Sequence, residues 1–441
     1  MNMTSFLRAA ALCGACIGLH ITNAGAAVAM DRARIDVRGW AVNTKGGAGG
    51  ALIRVTNLNA SGPGSFAAAV ASKGPRIIVF EVGGVIDLQG ATIRIDQPFV
   101  TIAGQTAPAP GITFVRGGFG VATHDVIVQH IAVRPGEFGK AKKSGWESDG
   151  LSTSAAHDVI IDHCSFSWAT DENLTASGPR FNGESPDEWY LGSSYRVTFS
   201  HNIIAEGLRD STHKKGEHSK GSLVHDNAEM ILFYGNLFSS NVERNPLVKG
   251  GARVAVVNNL IHNPGFKAIH YNLIAHEWGE RAPRTGLVTM VGNVYRAGLD
   301  TRPNTALFSL GGAGDVSVFM QDNIAVDDAG APLPMTSRYT ASRAAILTAV
   351  TPYLPENLPV LKAADLETAI YMSAGMRPWM RDAVDFKILS DVAEGRGHIV
   401  DSEAESSGYP IYKASARPFN PDAWNLNDMT PKAGWASLAQ Q

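Results

Sequence analysis

Short apolar runs that end in a turn recur along the middle of this chain, and this repeat limits the possible folds more than any other feature. Each run is about five residues long, the length of a β-strand, and no helical period lies between runs. From Ile131 onward the runs recur about every 23 to 38 residues. One coil cannot bury its own apolar face, whereas stacked coils can. The residues that close the runs are Ile131, Cys164, Asn202, Asn236, Asn259, Asn293 and Asn323.

The repeat predicts an all-β fold, a single-stranded right-handed parallel β-helix. The closing residues should form one column at a turn, because asparagine tolerates left-handed backbone geometry and its side chain can hydrogen-bond to the coils above and below. We therefore give Cys164, Asp162 and His163 structural roles. A β-propeller is the competing repeat fold, but each of its blades needs four strands. Residues 64–72 are rich in alanine and are expected to form a short helix over the first coil.

Three segments are expected along the 441 residues. Residues 1–26 combine a basic start at Arg8, an apolar stretch and a small-residue cleavage site, the pattern of a signal peptide. Residues 27–329 carry the β-helix. Residues 330–441 lack the repeat and are expected to form a C-terminal tail packed along the β-helix. After export Cys164 would be the only cysteine, so no internal disulfide is expected.

The charges are distributed locally. The formal net charge is -3 and 18% of residues are charged, which gives no basic character that would point to nucleic acid. Lys220, Arg244 and Lys249 nevertheless stand at strand ends or in loops, where a rigid scaffold can direct them toward one ligand. Such a field suits an anionic substrate, although a solvated basic surface is the alternative.

Long insertions between the runs indicate the working face of the scaffold. The first insertion ends at Asp149, and Asp171 and Glu172 open the second. Clusters rich in oxygen and free of cysteine suit Ca²⁺, although these acids could also be solvated loop residues. The third insertion contains Arg209 and ends near His218, and both are candidates for substrate contact. Zinc is not expected, because no H-E-x-x-H helix or CxxC pair is present.

Four segments resemble motifs of the pectate lyase family, in the same order, between about residues 39 and 323. Four motifs in order are more specific than any one of them. The segments are residues 55–65 with 74–80, Ile160-Ile161-Asp162-His163, His218-Ser219-Lys220, and Arg244-Asn245-Pro246-Leu247-Val248-Lys249, which is similar to the family's R-x-P-x-x-R.

This resemblance implies an enzyme that cleaves α-1,4-polygalacturonate (pectate) by Ca²⁺-assisted β-elimination and yields 4,5-unsaturated oligogalacturonides. With the leader, it implies a secreted or periplasmic protein. We expect a monomer whose partner is an acidic polysaccharide, with no nucleic acid or membrane partner. The resulting assignments are Arg244 and Lys220 for catalysis, Lys220, Lys249, His218 and Arg209 for substrate binding, and Asp149, Asp171 and Glu172 for the metal.

Two positions depart from the family pattern. Lys249 stands where the family usually has arginine, so it keeps the charge but loses a two-pronged grip on a carboxylate. Thr175 stands where another aspartate is common. Three alternatives stay open: a pectin lyase, which would not need the Asp149 and Asp171 site; a polygalacturonan hydrolase, which needs paired carboxylates at the bond; and a non-catalytic carbohydrate-binding β-helix, which would tolerate loss of Arg244.

Overall fold

Three parallel sheets wind around one apolar core in a computed structural model that describes residues 34–432. The chain visits the three sheets in turn, and each strand pairs in parallel with the strand one coil earlier and one coil later. The parallel β-helix predicted from the repeat is therefore confirmed. The expected signal peptide, residues 1–26, lies outside the described residues.

The sheets are numbered by the order in which a coil enters them. Sheet 1 has eleven strands, Ala51–Val55, Arg76–Phe80, Val100–Ala103, His124–Gln129, His157–Asp162, Tyr195–Ser200, Glu229–Tyr234, Arg253–Val257, Gly286–Val291, Val316–Gln321 and Ile346–Thr348. Sheet 2 has ten, Val82–Asp87, Ile112–Val115, Ile131–Arg134, Ser165–Ser167, Ile203–Ala205, Leu237–Ser239, Leu260–His262, Val294–Arg296, Ile324–Val326 and the antiparallel Ser415–Ala416. Sheet 3 has nine, Thr92–Ile95, Gly118–Val121, Leu151–Ser154, Glu172–Ser177, Lys220–Val224, Leu247–Lys249, Ile269–Leu273, Phe308–Gly312 and Thr336–Arg338.

Helices are short and lie outside the coils. The α-helices are α1 (Phe66–Val70), α2 (Ala275–Trp278), α3 (Leu366–Ser373) and α4 (Ala383–Ala393). Short 3-10 turns occur at Gly39–Ala41, Gly104–Thr106, Trp189–Gly192, Ala363–Asp365, Glu403–Glu405 and Pro421–Ala423, and a two-stranded ribbon pairs Trp424–Asn425 with Thr430–Pro431. Within residues 34–432, no helix has the length and apolar character needed to cross a membrane.

The first coil is covered by α1, which the alanine-rich segment predicts. The Ser65 hydroxyl caps this helix by accepting a hydrogen bond from the Ala68 N–H at 3.2 Å. The helix packs on the first strands of sheets 1 and 3. Its Phe66 ring lies 4.7 Å from the Phe114 ring and 5.5 Å from the Phe119 ring, so the helix is fixed to the core by aromatic contacts.

The predicted column is present between sheets 1 and 2 as a ladder of asparagines. Each side-chain N–H donates to the Oδ1 of the next asparagine, over 3.0, 2.9, 3.2 and 2.9 Å. These Oδ1 atoms also accept backbone N–H groups, and Asn202 Oδ1 accepts that of Cys164 at 2.9 Å, which continues the column. Four of the asparagines are buried and Asn323 is half-buried, so the bonds replace bonds to water. The ladder consists of Asn202, Asn236, Asn259, Asn293 and Asn323.

One detail of the predicted column is wrong, because the left-handed residue is the one before each asparagine. The five preceding residues have φ angles between 51° and 66°. The chain turns from sheet 1 to sheet 2 at this preceding residue. Each asparagine can then direct its backbone N–H and its side chain along the helix axis. Glycine occupies two of these positions, where it adopts a positive φ without steric cost. The preceding residues are His201, Gly235, Asn258, Gly292 and Asp322.

Residues 363–416 lie along the outer face of sheet 2, and residues 419–429 continue onto sheet 1, where Phe419, Trp424 and Met429 pack with Ile77 and Val79. Apolar side chains of α3 and α4 pack with buried side chains such as Trp168, Ile203 and Leu237. Beneath them Arg134 is fully buried and donates to Asp382 Oδ2 at 2.6 Å and to Asp385 Oδ1 at 2.9 Å. This cluster joins the last strand residue of Ile131–Arg134 to the N-terminus of α4.

Parallel pairing continues past residue 329, where the sequence placed the end of the β-helix. Thr336–Arg338 pairs with Phe308–Gly312 in sheet 3, and Ile346–Thr348 pairs with Val316–Gln321 in sheet 1. Each of these two added strands has only three residues, too few for a hydrophobic period to show in the sequence.

Candidate active site

A row of alternating charges lies at the N-terminal ends of the strands of sheet 3. The strand register places Glu172 beside Lys220, and Lys220 forms a parallel bridge with Glu243 in the next coil. Glu243 in turn contacts Lys267, one coil further on. Adjacent coils are about 4.8 Å apart, so the four residues line up along the helix axis. We call Glu172, Lys220, Glu243 and Lys267 the charged row.

An acid cluster adjoins the first member of this row. Ligand oxygens of Asp149, Asp171 and Glu172 all lie within 4.8 Å of one another, and Asp149 Oδ1 accepts the Glu172 N–H at 3.1 Å. Burial, together with the charge of Asp171, raises the pKa of Asp149 to about 8. Burial would also raise the pKa of Asp171, but the hydrogen bond to His218 and the charges of His218, His213 and Arg244 together outweigh burial and lower that pKa. The predicted metal ligands are thus brought together, and they repel one another without a cation.

The donor set of the cluster fits a Ca²⁺ ion. Ca²⁺ takes six to eight oxygen ligands in flexible geometry, and carboxylates coordinate it through one oxygen atom or through both. Leu174 and Ala176 point into the core, so Thr175 between them points outward, on the side of the acids. Its hydroxyl is buried beside Asp149, to which it offers a hydrogen bond, so it adds an oxygen atom next to the carboxylates. Thr175 brings no charge, so the protein supplies three carboxylates.

Arg244 connects the acid cluster to the charged row. Its guanidinium contacts the Glu172 carboxylate, and its backbone is left-handed, with φ at 65°. Burial lowers the pKa of Arg244, although the charges of Asp171 and Asp149 oppose this change. Its Nε is buried without a hydrogen-bond partner among residues 34–432. The guanidinium therefore keeps one N–H donor that no described side chain satisfies.

Glu243 holds two ammonium groups in place. The Nζ of Lys220 lies 2.5 Å from Glu243 Oε1, and Lys267 contacts the other oxygen. Burial alone would raise the pKa of Glu243, but the charges of His270, Lys220 and Lys267 outweigh burial and lower this pKa to about 2. The carboxylate is consequently ionised at neutral pH and fixes the position of both lysines.

Two stacked histidines support Asp171. The His218 Nε2 lies 2.7 Å from Asp171 Oδ1, and its ring stacks on that of His213 with centroids 3.7 Å apart. His213 Nδ1 accepts the Lys215 N–H at 3.2 Å, so the neutral ring carries its proton on Nε2, which faces Asp171 at 3.8 Å and Glu147 at 3.6 Å. This pair orients Asp171, and the protonated Nε2 has no free lone pair for a metal.

Two residues that were predicted to contact the substrate, Lys249 and Arg209, form ion pairs away from the acid cluster. Lys249 lies at the opposite end of its strand, where its ammonium is 2.5 Å from Glu277 and 3.1 Å from Asp226. Arg209 forms two hydrogen bonds with Asp401, at 2.8 and 3.1 Å. Neither residue lies in the acid cluster or the charged row. Each forms an ion pair with a carboxylate on another segment, and the repeat in the sequence does not predict where these segments lie.

Glu243 and Lys267 were not singled out from the sequence, although a signal for them exists. Lys220 and Glu243 are 23 residues apart, and Glu243 and Lys267 are 24 residues apart. The bare coil from Asn236 to Asn259 also has 23 residues. Residues separated by one bare coil stack directly in a parallel β-helix, so this spacing alone would have aligned the three side chains.

A parallel β-helix that carries an acid cluster beside buried cations on one outer face is the arrangement expected of a polysaccharide lyase, and comparison with known proteins supports this class. No family model matches the chain. The curated protein "Probable pectate lyase C" of Aspergillus oryzae is 31% identical over 398 residues, which cover 88% of this chain and 84% of that protein. The Aspergillus fumigatus protein of the same name is 31% identical over 379 residues, covering 84% of this chain and 79% of its own.

Solved structures show the same fold at much lower identity. Jun a 1, the major allergen from cedar pollen, aligns with a TM-score of 0.55 and 16% identity, over 77% of this chain and 92% of the allergen. The thermostable pectate lyase PL 47 aligns with a TM-score of 0.53 and 15% identity, over 78% and 98%. Together with the curated relatives, these comparisons show that the chain belongs to the pectate lyase family.

Proposed function

We propose that this enzyme cleaves α-1,4-polygalacturonate by Ca²⁺-assisted β-elimination and releases 4,5-unsaturated oligogalacturonides. The observation that carries the proposal is the acid cluster of Asp149, Asp171 and Glu172 beside Arg244 and Lys220. A solved structure described as a pectate lyase bound to a hexasaccharide shares the fold, with a TM-score of 0.51 and 16% identity, which supports a sugar chain as the ligand.

The balance of charge at the site supports a need for a divalent cation. Four acids and three cations meet there, so the site has a net charge of about -1 when all are ionised and of about 0 while Asp149 keeps its proton. One divalent cation, which would displace that proton, changes the net charge to about +1. A positive cleft attracts a polyuronate, whereas a neutral or negative one does not. The seven residues are Asp149, Asp171, Glu172, Glu243, Lys220, Arg244 and Lys267.

Asp149, Asp171 and Glu172 would hold the ion, which when bound supplies a Lewis acid for a substrate carboxylate. Arg244 takes the proton from C5 of the sugar, and its pKa, lowered by burial, favours this role. The electron pair of the C5–H bond forms the C4=C5 double bond as the bond from C4 to O4 breaks. The O4 oxygen leaves with the next sugar and takes a proton from solvent. Lys220, fixed by Glu243, stabilises the negative charge that develops near C5 and the carboxylate.

Export of the enzyme is part of the proposal, and it rests on the leader pattern of residues 1–26. We infer a secreted or periplasmic monomer that meets its polysaccharide outside the cytoplasm.

The test is ultraviolet absorbance of the full chain with polygalacturonate, first with added Ca²⁺ and then with a chelator. We expect absorbance from the new C4=C5 bond to rise with Ca²⁺ and to stop on chelation. Chain shortening without absorbance would instead identify a hydrolase. Cleavage of methyl-esterified pectin that survives chelation would identify a pectin lyase. Binding without any cleavage would identify a binding module.

A variant tests the metal site apart from catalysis. Asp149→Asn should raise the Ca²⁺ concentration for half-maximal activity at least tenfold, because it removes a charged ligand. Ca²⁺ should also raise the melting temperature of the wild type and raise that of the variant much less, since a ligand that binds only the folded state stabilises it. Equal Ca²⁺ stabilisation of both proteins would show that the ion binds elsewhere.

A further inference from the structure

Residues 400–409 of the C-terminal segment contact both insertions that border the acid cluster. The first insertion, residues 135–149, ends at Asp149, and the third, residues 206–219, contains His218. Each insertion runs from a strand of sheet 2 to a strand of sheet 3 and so lies outside the regular pairing of the coils. These two segments must therefore be held by other contacts, and the C-terminal segment supplies several of them.

Asp401 fixes the third insertion at Arg209. The Asp401 carboxylate accepts hydrogen bonds from Nε and Nη2 of Arg209 at 2.8 and 3.1 Å, and from the Asp210 N–H at 3.2 Å. The Arg209 N–H also donates to the Val400 carbonyl at 2.9 Å. Burial alone would raise the pKa of Asp401, but these hydrogen bonds and the charges of Arg209 and Lys142 outweigh burial and lower that pKa. The carboxylate is therefore ionised at neutral pH.

Arg209 in turn contacts the histidine that holds Asp171. The Arg209 carbonyl accepts the His218 N–H at 2.7 Å. His218 Nε2 lies 2.7 Å from Asp171 Oδ1. A continuous path of hydrogen bonds therefore leads from Asp401 through Arg209 and His218 to one of the carboxylates of the acid cluster.

Tyr409 fixes the first insertion in a similar way. Its hydroxyl donates to the Pro135 carbonyl at 2.7 Å and accepts the Phe138 N–H at 3.2 Å. A Cβ atom at Gly136 would lie 2.0 Å from this hydroxyl oxygen, and the φ angle of Gly136 is 62°. The turn can therefore approach Tyr409 this closely only with glycine at position 136.

The two insertions also bind each other. The Lys143 N–H donates to the Ser211 carbonyl and the Gly145 N–H to the Thr212 carbonyl, both at 2.9 Å. The Thr212 hydroxyl donates to the Trp146 carbonyl at 2.6 Å. The C-terminal segment and the two insertions thus form one hydrogen-bonded unit beside the acid cluster.

We propose that Asp401 and Tyr409 are positioning residues for the metal, because they hold the two insertions so that Asp149 and Asp171 keep the separation at which Ca²⁺ binds. Carboxylates repel one another in an empty cluster, and binding costs less when the scaffold holds them in place before the ion arrives. This inference rests on the proposed function, because it takes the acid cluster to hold Ca²⁺. Arg209, which was predicted to contact the substrate, is here the link from Asp401 to the cluster.

The experiment measures Ca²⁺ binding by calorimetry with the full-length wild type and with Asp401→Asn, which keeps the shape and removes the charge. We expect the Ca²⁺ dissociation constant to rise about fivefold, less than the roughly 10- to 100-fold effect of a residue that directly supports a metal ligand. The denaturation midpoint without Ca²⁺ should stay near the wild-type value, because the ion pair of Arg209 and Asp401 is partly exposed. Activity on polygalacturonate should fall at limiting Ca²⁺ and recover at saturating Ca²⁺.

Further variants separate positioning from folding. Asp401→Glu should recover part of the Ca²⁺ affinity, and Asp365→Asn, at an exposed position of the same segment, is the matched control with wild-type values. The double variant Asp401→Asn with His218→Ala should bind Ca²⁺ as His218→Ala alone does, because the effect of Asp401 passes through His218. Tyr409→Phe should also weaken Ca²⁺ binding, through the first insertion.

Three results would overturn the inference. An unchanged Ca²⁺ dissociation constant in Asp401→Asn or in Tyr409→Phe would overturn the role of that residue. Additive effects in the double variant would show that Asp401 does not act through His218. A lower denaturation midpoint with wild-type Ca²⁺ affinity would show that the contacts support the fold alone.

The calorimetric measurement also separates the two proposals. If the wild type binds Ca²⁺ but forms no unsaturated product, the lyase assignment fails, while the comparison with Asp401→Asn still decides the role of Asp401. If the wild type cleaves with Ca²⁺ and both Asp401→Asn and Tyr409→Phe bind the ion as the wild type does, only the present inference fails. If the wild type binds no Ca²⁺, both proposals are wrong.

Discussion

Two arginine–carboxylate clusters in this molecule use the same chemical groups and differ in their exposure to solvent. Beneath the C-terminal helices, Arg134 meets Asp382 and Asp385, and all three side chains are at most 1% exposed. On sheet 3, Arg244 meets Glu172 with 21% of its side chain exposed, and 31% of the nearby Asp171 side chain is exposed. The first cluster is closed to solvent, and the second is open on one side.

The comparison shows that an altered pKa does not by itself identify a functional site. Burial and the charge of Asp382 raise the pKa of Asp385 to about 6, although Arg134 opposes this change. Burial and the charge of Asp171 raise the pKa of Asp149 to about 8. Both clusters therefore contain a carboxyl group that ionises reluctantly. Only the second is open to solvent, so access to a further ligand, not the pKa, distinguishes the two.

The largest expected effect separates catalysis from stability at Arg244. Arg244→Lys should lower kcat on polygalacturonate by about 10²- to 10⁴-fold, the usual contribution of a proton-transfer group. Its positive charge is retained beside Glu172, so the free energy of unfolding should change by less than about 1 kcal/mol. Ultraviolet absorbance and chemical denaturation measure the two quantities. Arg94→Lys, in an exposed strand position, is the control. Wild-type kcat in Arg244→Lys would contradict the assignment.

The closed cluster should show the opposite result. Arg134→Met leaves Asp382 and Asp385 buried without their cation, and removal of one partner of a buried pair costs about 3–5 kcal/mol. We expect a much lower denaturation midpoint, while kcat per folded molecule stays at the wild-type value. Arg134→Lys should recover part of the loss. If Arg134→Met unfolds as the wild type does, the C-terminal segment is not fixed by this cluster.

The smallest effect concerns acid sensitivity, and Glu243 tests whether the open face contributes to it. The pKa of Glu243 is near 2 in the folded protein and about 4.5 when unfolded, so its contribution to stability is complete above pH 4.5 and is lost as pH falls toward 2. Between pH 5 and pH 3 the wild type should lose about 2 kcal/mol from this group. Glu243→Gln should lose correspondingly less, as measured by urea denaturation at both pH values. If the free energy of unfolding falls equally with pH in the two proteins, ionisation of Glu243 does not contribute to acid sensitivity.

The sequence predicts those parts of the fold that a fixed spacing controls. Asn202 through Asn323 could be placed in one column because each closes an apolar run, and Asp149, Asp171 and Glu172 could be grouped because they border two insertions at adjacent coils. The partners of Arg209 and Lys249 could not be found in this way. Asp401 and Glu277 belong to segments outside the repeat, and the spacing of the apolar runs does not predict the position of such segments.

The asparagine ladder has a consequence for how the chain can change. A slip of one residue in a strand would turn every side chain to the opposite face. The ladder resets the alignment at each turn, whether 23 residues separate two asparagines, as for Asn236 and Asn259, or 34, as for Asn259 and Asn293. Loops of any length can therefore be gained or lost between turns while Lys220, Glu243 and Lys267 stay stacked in consecutive coils. The positions of the turns along the helix axis therefore do not change when residues are inserted between them.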